Sequence, residues 1–342
     1  MAPYPRGVTV YLDHAASAPL RPEVLEQMLP HLRGEQANPS SPHAPGRRAR
    51  AALDEAHERL AAAIGAEARG LVFTGGGTEA INLAIKGAAW AGKAEGHRIV
   101  TTAIEHKAVL ESCLLLEKYG FEVRKLPVDR YGRVDPDDLT EALTEKTVLV
   151  SLQLANNEVG TIQPMDELIE RVRSGSAARI HVDAVQAAAW LPLDVASLGA
   201  DLVSFAAHKV EGPKGTGALW IRRGTAILPQ VHGGAQERYR RAGTENVAGA
   251  VVMAAAFELA MAERESVVPA VAAQRDRLRE ALLDVDDVEL TGHPVERLPN
   301  SLSVIVRDVA GDDIVIGLDL QGIACSTGSA CTSGSTEPSH VL

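Results

Sequence analysis

The chain has few cysteines and a shortage of basic residues, and both shortages exclude classes of protein. Its 342 residues include only three cysteines, Cys113, Cys325 and Cys331, which form neither a disulfide framework nor a CxxC metal pair. Lysine and arginine total 34 against 45 acidic residues, so the net charge is −11. Nucleic acid or an anionic membrane is therefore not expected as the main partner, because phosphate groups must be met by clustered cations.

Long apolar runs are also missing. No stretch approaches the roughly 18 to 20 uncharged apolar residues of a membrane-spanning helix. The N-terminal segment MAPYPRGVTVYLDH lacks the apolar core of a secretion signal. Since 46% of the residues are apolar, the chain can still bury a substantial core. We therefore expect a cytoplasmic globular protein that acts on a small molecule.

What the chain does contain is a regular alternation of helical and strand patterns, without repeats or long linkers. This alternation predicts an α/β fold, and open α/β sheets bind ligands beyond the carboxyl ends of their strands. Several strand-like runs end on polar residues, which together predict one pocket, although each residue alone could belong to an ordinary loop. The runs and their polar residues are 97–102 with His106, 147–154 with Asn156 and Asn157, 179–182 with Asp183 and Gln186, and 202–205 with His208 and Lys209.

Several local structures are expected from residue type. The segment 38–46, NPSSPHAPG, should be irregular because its prolines lack backbone donors, and a helix should span 47–64. A strand over 71–74 should lead through three glycines into a helix that opens at Thr78. Asp183 and Gln186 should lie one helical turn apart on one face.

The glycines at 75–77 also predict an anion site. Glycines followed by a helix N-terminus present free N–H groups, and the helix dipole favours negative charge there. Phosphate is the natural ligand. A tight turn that Thr78 merely caps is the alternative, and the GxGxxG dinucleotide pattern does not match.

Lys209 is placed by the run DLVSFAAHKVEGPKGTG at 201–217, where a strand pattern ends and glycines follow. A lysine amine becomes a nucleophile when its neighbours depress its pKa, and its usual role is then a Schiff base with a carbonyl such as pyridoxal phosphate. A surface lysine at the end of a strand is the alternative interpretation.

Seven motifs follow one another along the chain: FTGGGTEAINLAI, IEHKAV, LANNEVGTIQP, HVDAVQA, SFAAHKVEGPKGTGALW, RAGTENVAG and STGSACTSG. With these motifs in this order, the chain resembles the NifS/IscS-like cysteine desulfurases, a family of pyridoxal-phosphate-dependent enzymes of fold type I. The similarity runs from Tyr11 to the last residue. The resemblance implies a sulfurtransferase that takes sulfur from L-cysteine, releases L-alanine and holds the sulfur as a persulfide on Cys331.

The resemblance also implies the architecture of the class-V aminotransferases, an α/β fold with a mostly parallel seven-stranded sheet. The sheet would belong to a large cofactor-binding domain at 16–258. A smaller α/β domain would combine 1–15 with 259–342, with strands near 288–290 and 301–306 and a helix near 312–321. Cys331 would lie on a mobile loop at 326–336, since this segment is rich in Ser, Thr, Gly and Ala.

The catalytic roles follow from the same resemblance. Lys209 matches the lysine that binds the cofactor covalently, and Cys331 matches the nucleophile. His106 matches the imidazole that stacks on the cofactor ring and is a candidate acid or base. Asp183 matches the carboxylate paired with the pyridine nitrogen, which an ionised carboxylate would keep protonated.

Further cofactor contacts are implied around the ring and the phosphate. The family usually has a serine where this chain has Ala206, and Ser204, two residues earlier, is expected to face the same side. The implied contacts are Gln186 with the ring hydroxyl, Asn157 (or Asn156) beside the ring, and Gly77, Thr78, Ser204, His208 and, from a neighbouring subunit, Thr244 at the phosphate.

Thr244 thus implies a homodimer with shared active sites, and the sulfur would pass to an iron–sulfur scaffold or another acceptor protein. The family continues beyond position 342 with an arginine that binds the substrate carboxylate, so weak activity is expected for the chain as given. Two alternatives stay open. One is a selenocysteine lyase or small-substrate aminotransferase, which Cys331 argues against, and the other is a catalytically weak cofactor-binding protein.

Overall fold

In a computed structural model of the protein, residues 10–34, 37–328 and 339–342 are described. The predicted nucleophile Cys331 and most of the predicted loop at 326–336 lie outside these residues. The strands are β1 (Val10–Tyr11), β2 (Leu71–Thr74), β3 (Arg98–Thr102), β4 (Glu122–Leu126), β5 (Thr147–Gln153), β6 (Arg179–Asp183), β7 (Leu202–Ala206), β8 (Gly217–Ile221), β9 (Val288–Leu290), β10 (Val304–Val306) and β11 (Ile323–Ala324). The helices are α1 (Pro22–Arg33), α2 (Ala44–Ala63), α3 (Gly77–Ala91), α4 (Lys107–Glu117), α5 (Pro136–Ala142), α6 (Met165–Gly175), α7 (Val247–Leu283) and α8 (Gly311–Leu320).

A seven-stranded sheet in the order β2-β8-β7-β6-β5-β3-β4 forms the centre of the molecule. All its strands run in one direction except β8, which is antiparallel to both of its neighbours. The predicted mostly parallel α/β sheet is confirmed. Because β3, β5, β6 and β7 are parallel, their carboxyl ends meet at one edge, where the sequence predicted a pocket.

Apolar side chains cover both faces of this sheet. On one face, Leu53 and Leu60 of α2 and Phe257 of α7 pack with strand residues such as Val182 and Phe205. On the other face, α3 and α4 pack against the sheet in a second cluster. Strands buried on both faces are typical of parallel sheets, whose crossover helices lie on either side. The sheet edge is thereby held rigidly for the polar residues that follow each strand.

The remaining strands form two small pairs outside the main sheet. β1 pairs in parallel with β11, and β9 pairs antiparallel with β10. β9 and α8 lie where the sequence predicted a strand and a helix. The predicted domain boundary at 258/259 falls inside α7, whose residues are buried from 247 to 257 and mostly partly or fully exposed after that point. The division into two domains stays a prediction.

Two local expectations were wrong. The helix α2 begins at Ala44, so the last part of the segment 38–46 is helical. Pro45 is tolerated there because a proline in the first turn lacks only an N–H that would have no partner within the helix. His43 caps the helix, since its Nδ1 accepts from the Gly46 N–H at 3.1 Å. The segment after Asp183 forms hydrogen-bonded turns instead of an α-helix.

None of the helices in the described part of the chain has both the length and the apolar character needed to cross a membrane.

The packing of α7 on the sheet makes a stability prediction possible. Phe205 and Phe257 are fully buried, with ring centroids 5.6 Å apart in an edge-to-face arrangement. Phe257→Ala should lower the free energy of unfolding of the cofactor-free protein by about 3–5 kcal/mol through the cavity it leaves. Chemical denaturation measures the change. Leu278→Ala, at an exposed position of the same helix, is the matched control and should have little effect; equal losses in the two variants would contradict this packing.

Candidate active site

Lys209 lies at the edge of the sheet, one short turn after β7. A 3₁₀ turn over Ala207–Lys209 follows the strand. The Lys209 Nζ donates to the carbonyl oxygens of Ala15 and Ala16, the latter at 2.9 Å. Gln186 Nε2 donates to the same Ala15 oxygen at 2.9 Å. The N-terminal segment thus connects two residues that the sequence placed in one pocket.

Asp183 ends β6 and is 6% exposed. Burial raises the pKa of its carboxyl group, while the Val185 N–H at 3.0 Å, His106, a Ser204 hydroxyl and Lys209 all favour the ionised form. His106 lies at the N-cap of α4, where its Nδ1 accepts from the Ala108 N–H at 3.1 Å. Burial lowers the pKa of His106. The negative charge of Asp183 opposes this effect, and the positive charge of Lys209 adds to it. The structure therefore brings His106, Asp183 and Lys209 into one electrostatic cluster.

The N-terminus of α3 forms a narrow cradle against the ends of β7 and β8. The residue before the helix, Gly76, has a φ of 148° and no side chain with which to cap the first N–H groups. A Cβ on Gly217 would lie 2.4 Å from the Gly76 carbonyl carbon. A Cβ on Gly77 would lie 3.2 Å from the side chains of Ala206 and Val185. Glycine therefore lets this helix end approach the loops that follow Asp183 and precede Lys209.

Other predicted phosphate contacts lie at or near the surface. Thr78 is exposed in the first turn of α3. The helix begins at Gly77, one residue before the expected start at Thr78. His208 is half-buried, and its Nδ1 lies 3.4 Å from Ser17 Oγ. Burial, and to a smaller extent the positive charges of Lys209 and Lys214, lowers the pKa of His208 to about 4. Thr244 is exposed.

The two asparagines that follow β5, Asn156 and Asn157, differ in their surroundings. Asn156 is buried: its amide donates to the Ile104 carbonyl at 3.0 Å and its Oδ1 accepts from the N–H groups of Glu158 and Val159. Asn156 therefore shapes this loop, and Asn157, half-buried beside it, is the better candidate for a ligand contact.

Ser204 faces the same side of β7 as Ala206, as expected, but its hydroxyl is already engaged. The residue is fully buried within β7, and its hydroxyl is bonded to the side chains of His181 and Asp183 at 3.2 Å each. Two residues along a strand do face one side, but this side chain stands under the sheet edge, with its hydrogen bonds already made. Ser204 therefore acts on Asp183, and a direct contact with a phosphate group is not supported.

Glu105 is a site residue that the sequence analysis missed. The side chain is fully buried next to His106, and its Oε1 accepts from the Thr102 hydroxyl at 2.8 Å and the Gln153 N–H at 3.0 Å. Burial raises the pKa of the carboxyl group to about 8. Its position directly before His106 in the motif IEHKAV was the available indication.

Two of the three cysteines lie among the described residues. Cys113 is buried in α4, and burial raises the pKa of its thiol to about 12, so this thiol is unreactive. Cys325 is half-buried, and burial raises its pKa as well.

The buried carboxyl group of Glu105 predicts a pH-dependent stability. Its pKa is about 8 in the folded protein and lies near the ordinary glutamate value of 4.5 in the unfolded protein, so only the folded state holds the proton between these two pH values. Wild-type stability should therefore fall with rising pH by about 1.4 kcal/mol per unit relative to Glu105→Gln, and the difference should level off above about pH 8. Urea unfolding of the cofactor-free proteins measures this. Glu111→Gln, at an exposed site on α4, is the control; parallel curves for wild type and Glu105→Gln would refute the assignment.

Comparison with known proteins agrees with this arrangement. The family model described as aminotransferase class-V matches residues 10–342. The cysteine desulfurase IscS of Methanosarcina thermophila is 49% identical over 333 residues, which cover 97% of this chain and 82% of the relative. The protein of the same name from Dictyoglomus turgidum is 51% identical over 334 residues, covering 97% and 84%.

Solved structures agree as well. A NifS-like protein superimposes with a TM-score of 0.91 at 37% identity, covering 93% of this chain and 87% of the other. SspA in complex with cysteine matches with a TM-score of 0.85 at 33% identity, covering 97% and 93%. The resemblance expected from the sequence motifs is thus confirmed. The chain belongs to the class-V aminotransferase family and, within it, to the cysteine desulfurases.

Proposed function

We propose that this protein is a pyridoxal-phosphate-dependent cysteine desulfurase that transfers the sulfur of L-cysteine to Cys331 and releases L-alanine. The observation that carries the proposal is the convergence of His106, Asp183 and Lys209 beyond the carboxyl ends of the parallel strands β3, β6 and β7. The names of the relatives and the SspA complex with cysteine support the substrate.

The residues present fit pyridoxal phosphate. The glycine cradle at the start of α3 offers backbone N–H groups to a phosphate dianion, beside the loops that lead to Asp183 and Lys209. Asp183 is a buried carboxylate, which is costly unless a positive group pairs with it, and a protonated ring nitrogen is such a group. Lys209 supplies an amine at the same edge of the sheet. Gln186 lies near this amine, because both side chains donate to the Ala15 carbonyl oxygen.

The side chains then have separate tasks. Lys209 would hold the cofactor covalently, Gln186 would bond to the ring hydroxyl, and Asp183 would bond to the ring nitrogen. When bound, pyridoxal phosphate supplies an electron sink for negative charge at the substrate Cα. His106 has a lowered pKa and is therefore neutral at neutral pH. Because its Nδ1 accepts from the Ala108 N–H, the ring proton lies on Nε2, which is the atom that can donate near the substrate.

Cys331 would perform the sulfur transfer. Its thiolate attacks the substrate Sγ and forms a new S–S bond, while the Cβ–Sγ bond breaks and its electron pair stays with the carbon skeleton. Protons supplied by groups such as His106 and Lys209 complete L-alanine. The sulfur remains on Cys331 as a persulfide that an acceptor can collect.

The assembly follows from the same proposal. We place the enzyme in the cytoplasm as a homodimer in which Thr244 reaches the phosphate of the partner subunit. Arg241 anchors this segment to α3 through Glu79 at 2.8 Å, and Gly243 and Thr244 are exposed beyond that anchor. An iron–sulfur scaffold or another acceptor protein would receive the sulfur. A large domain at 16–258 and a smaller one formed by 1–15 and 259–342 complete the proposed organisation.

Covalent attachment at Lys209 can be tested without an activity assay. Borohydride reduction of the loaded protein should fix the cofactor to the peptide that contains Lys209, as peptide mass spectrometry would detect. Lys209→Ala should carry no fixed cofactor and should lose roughly 10²-fold or more in desulfuration rate. Lys214→Ala, an exposed lysine in the following glycine-rich turn, is the matched control and should behave as wild type. Cofactor fixed by reduction in Lys209→Ala would show that another residue holds it.

The role of Cys331 is tested by its sulfur adduct. After incubation with L-cysteine, mass spectrometry should find added sulfur on Cys331, and Cys331→Ser should release no sulfide while keeping its cofactor. Cys325→Ser should still transfer sulfur and serves as the control. Loss of cofactor from Cys331→Ser, or undiminished sulfide release, would argue against this nucleophile.

A further inference from the structure

A continuous row of buried polar side chains crosses β5, β6 and β7 and ends at the candidate site. Ser151 Oγ lies 2.9 Å from His181 Nδ1, and His181 Nε2 lies 3.2 Å from Ser204 Oγ. Ser204 Oγ lies 3.2 Å from Asp183 Oδ1. Ser151, His181 and Ser204 have no solvent exposure. We call these four side chains the Asp183 network.

The strand geometry explains why these side chains meet. Ser151 is in register with His181 across β5 and β6, and Asp183 is in register with Ser204 across β6 and β7. His181 and Asp183 are two residues apart on one strand, so both side chains point to the same face. Directly opposite and diagonal residues on one face lie within reach of each other. The network therefore links three strands at the level of the sheet edge.

If Asp183 is ionised, the donor and the acceptor of every hydrogen bond in this network are fixed. An ionised carboxylate only accepts, so Ser204 must donate its single proton to Asp183. Ser204 then accepts from His181, which places a proton on Nε2 and leaves Nδ1 to accept from Ser151. Burial lowers the pKa of His181 to about 3, so the ring is neutral and carries one ring proton.

We propose that His181 and Ser204 are positioning residues, which orient the Asp183 carboxylate and keep it ionised for its bond to the ring nitrogen of pyridoxal phosphate. This inference rests on the proposed function. Ser204 fills one acceptor position of Oδ1 from beneath, and the Val185 N–H contacts the same oxygen at 3.0 Å. With Oδ1 held by two donors, Oδ2 is the oxygen left to bond with the ring nitrogen.

The electrostatic surroundings give this arrangement its importance. Burial favours the neutral form of Asp183, and the Ser204 hydrogen bond opposes that effect. The other titratable groups that act on Asp183 are His106 and Glu105 beside the start of α4 and Lys209 after β7. Of these, Lys209 would be engaged by the cofactor, so the donors within the network stay available when the site is loaded.

The first test measures the tautomer directly in the loaded wild-type enzyme. Two-bond ¹H–¹⁵N spectra of protein labelled at histidine report which ring nitrogen carries the proton, with His181→Gln used only to assign the resonance. The expected result is a His181 ring protonated on Nε2 alone, unchanged between pH 6 and 9. A ring protonated on Nδ1 would make Ser204 donate to His181 instead of Asp183, and would overturn the proposal.

The second test measures what the network does for the cofactor. Ser204→Ala should weaken cofactor binding by roughly tenfold or more, because a hydrogen bond to a charged group is lost. The absorption spectrum of the bound cofactor should also change, since the spectrum reports ring protonation. Ser204→Thr keeps the hydroxyl and should restore the spectrum. Ser112→Ala removes another buried serine hydroxyl, one bonded to the Ala108 carbonyl in α4, and should leave both readouts unchanged.

An Asp183→Ala variant separates failure of this inference from failure of the proposed function. If Asp183→Ala weakens binding and alters the spectrum while Ser204→Ala matches wild type, the network has no positioning role. If Asp183→Ala itself matches wild type, then Asp183 is not the partner of the ring nitrogen, and the assignment of the cofactor site is wrong. A Ser204→Ala variant that binds tenfold more weakly with an unchanged spectrum would indicate a structural role only, and would also overturn the proposal.

Discussion

The cost of burying the Asp183 carboxylate is the constraint on which the rest of the site depends. A negative charge removed from water is unfavourable by several kcal/mol unless donors and positive groups surround it. Here those groups are the Val185 N–H, the Ser204 hydroxyl, His106 and Lys209. Each comes from a different strand end or loop. One buried charge therefore explains why several parallel strands must end at the same place.

The parallel sheet can hold these groups in place because the helices packed on its two faces, and not the polar residues at its edge, fix the positions of the strands. α2 and α7 cover one face, and α3 and α4 cover the other, so strand positions do not depend on the polar edge. Cross-strand register then sets which side chains are adjacent, as for Asp183 and Ser204. The one antiparallel strand, β8, brings Gly217 against Gly76 at the start of α3. Close backbone approach thus joins the anion cradle to the carboxylate site.

Two carboxyl groups near His106 show how burial assigns different roles to similar side chains. Glu105 has few donors and no positive neighbour among the groups that act on it, and burial raises its pKa to about 8. Burial raises the pKa of Asp183 as well, but there donors, His106 and Lys209 oppose the effect. The surroundings of Asp183 thus favour its ionised form more than those of Glu105 do. The first anchors the loop before His106, and the second ends β6 at the edge where we propose that the cofactor binds.

Sequence patterns were sufficient for the order of the strands along the chain, for the parallel sheet and for the placement of His106, Asp183, Gln186 and Lys209 near one edge of it. These features depend on local periodicity and on polar residues that follow strands. Sequence patterns were not sufficient for Ser204, Glu105 or His181. An apolar run such as LVSF shows that a strand is buried, but it does not show which neighbour lies opposite its one hydroxyl. The register between strands that are distant in sequence determines that, and register is set only when the sheet and its covering helices pack together.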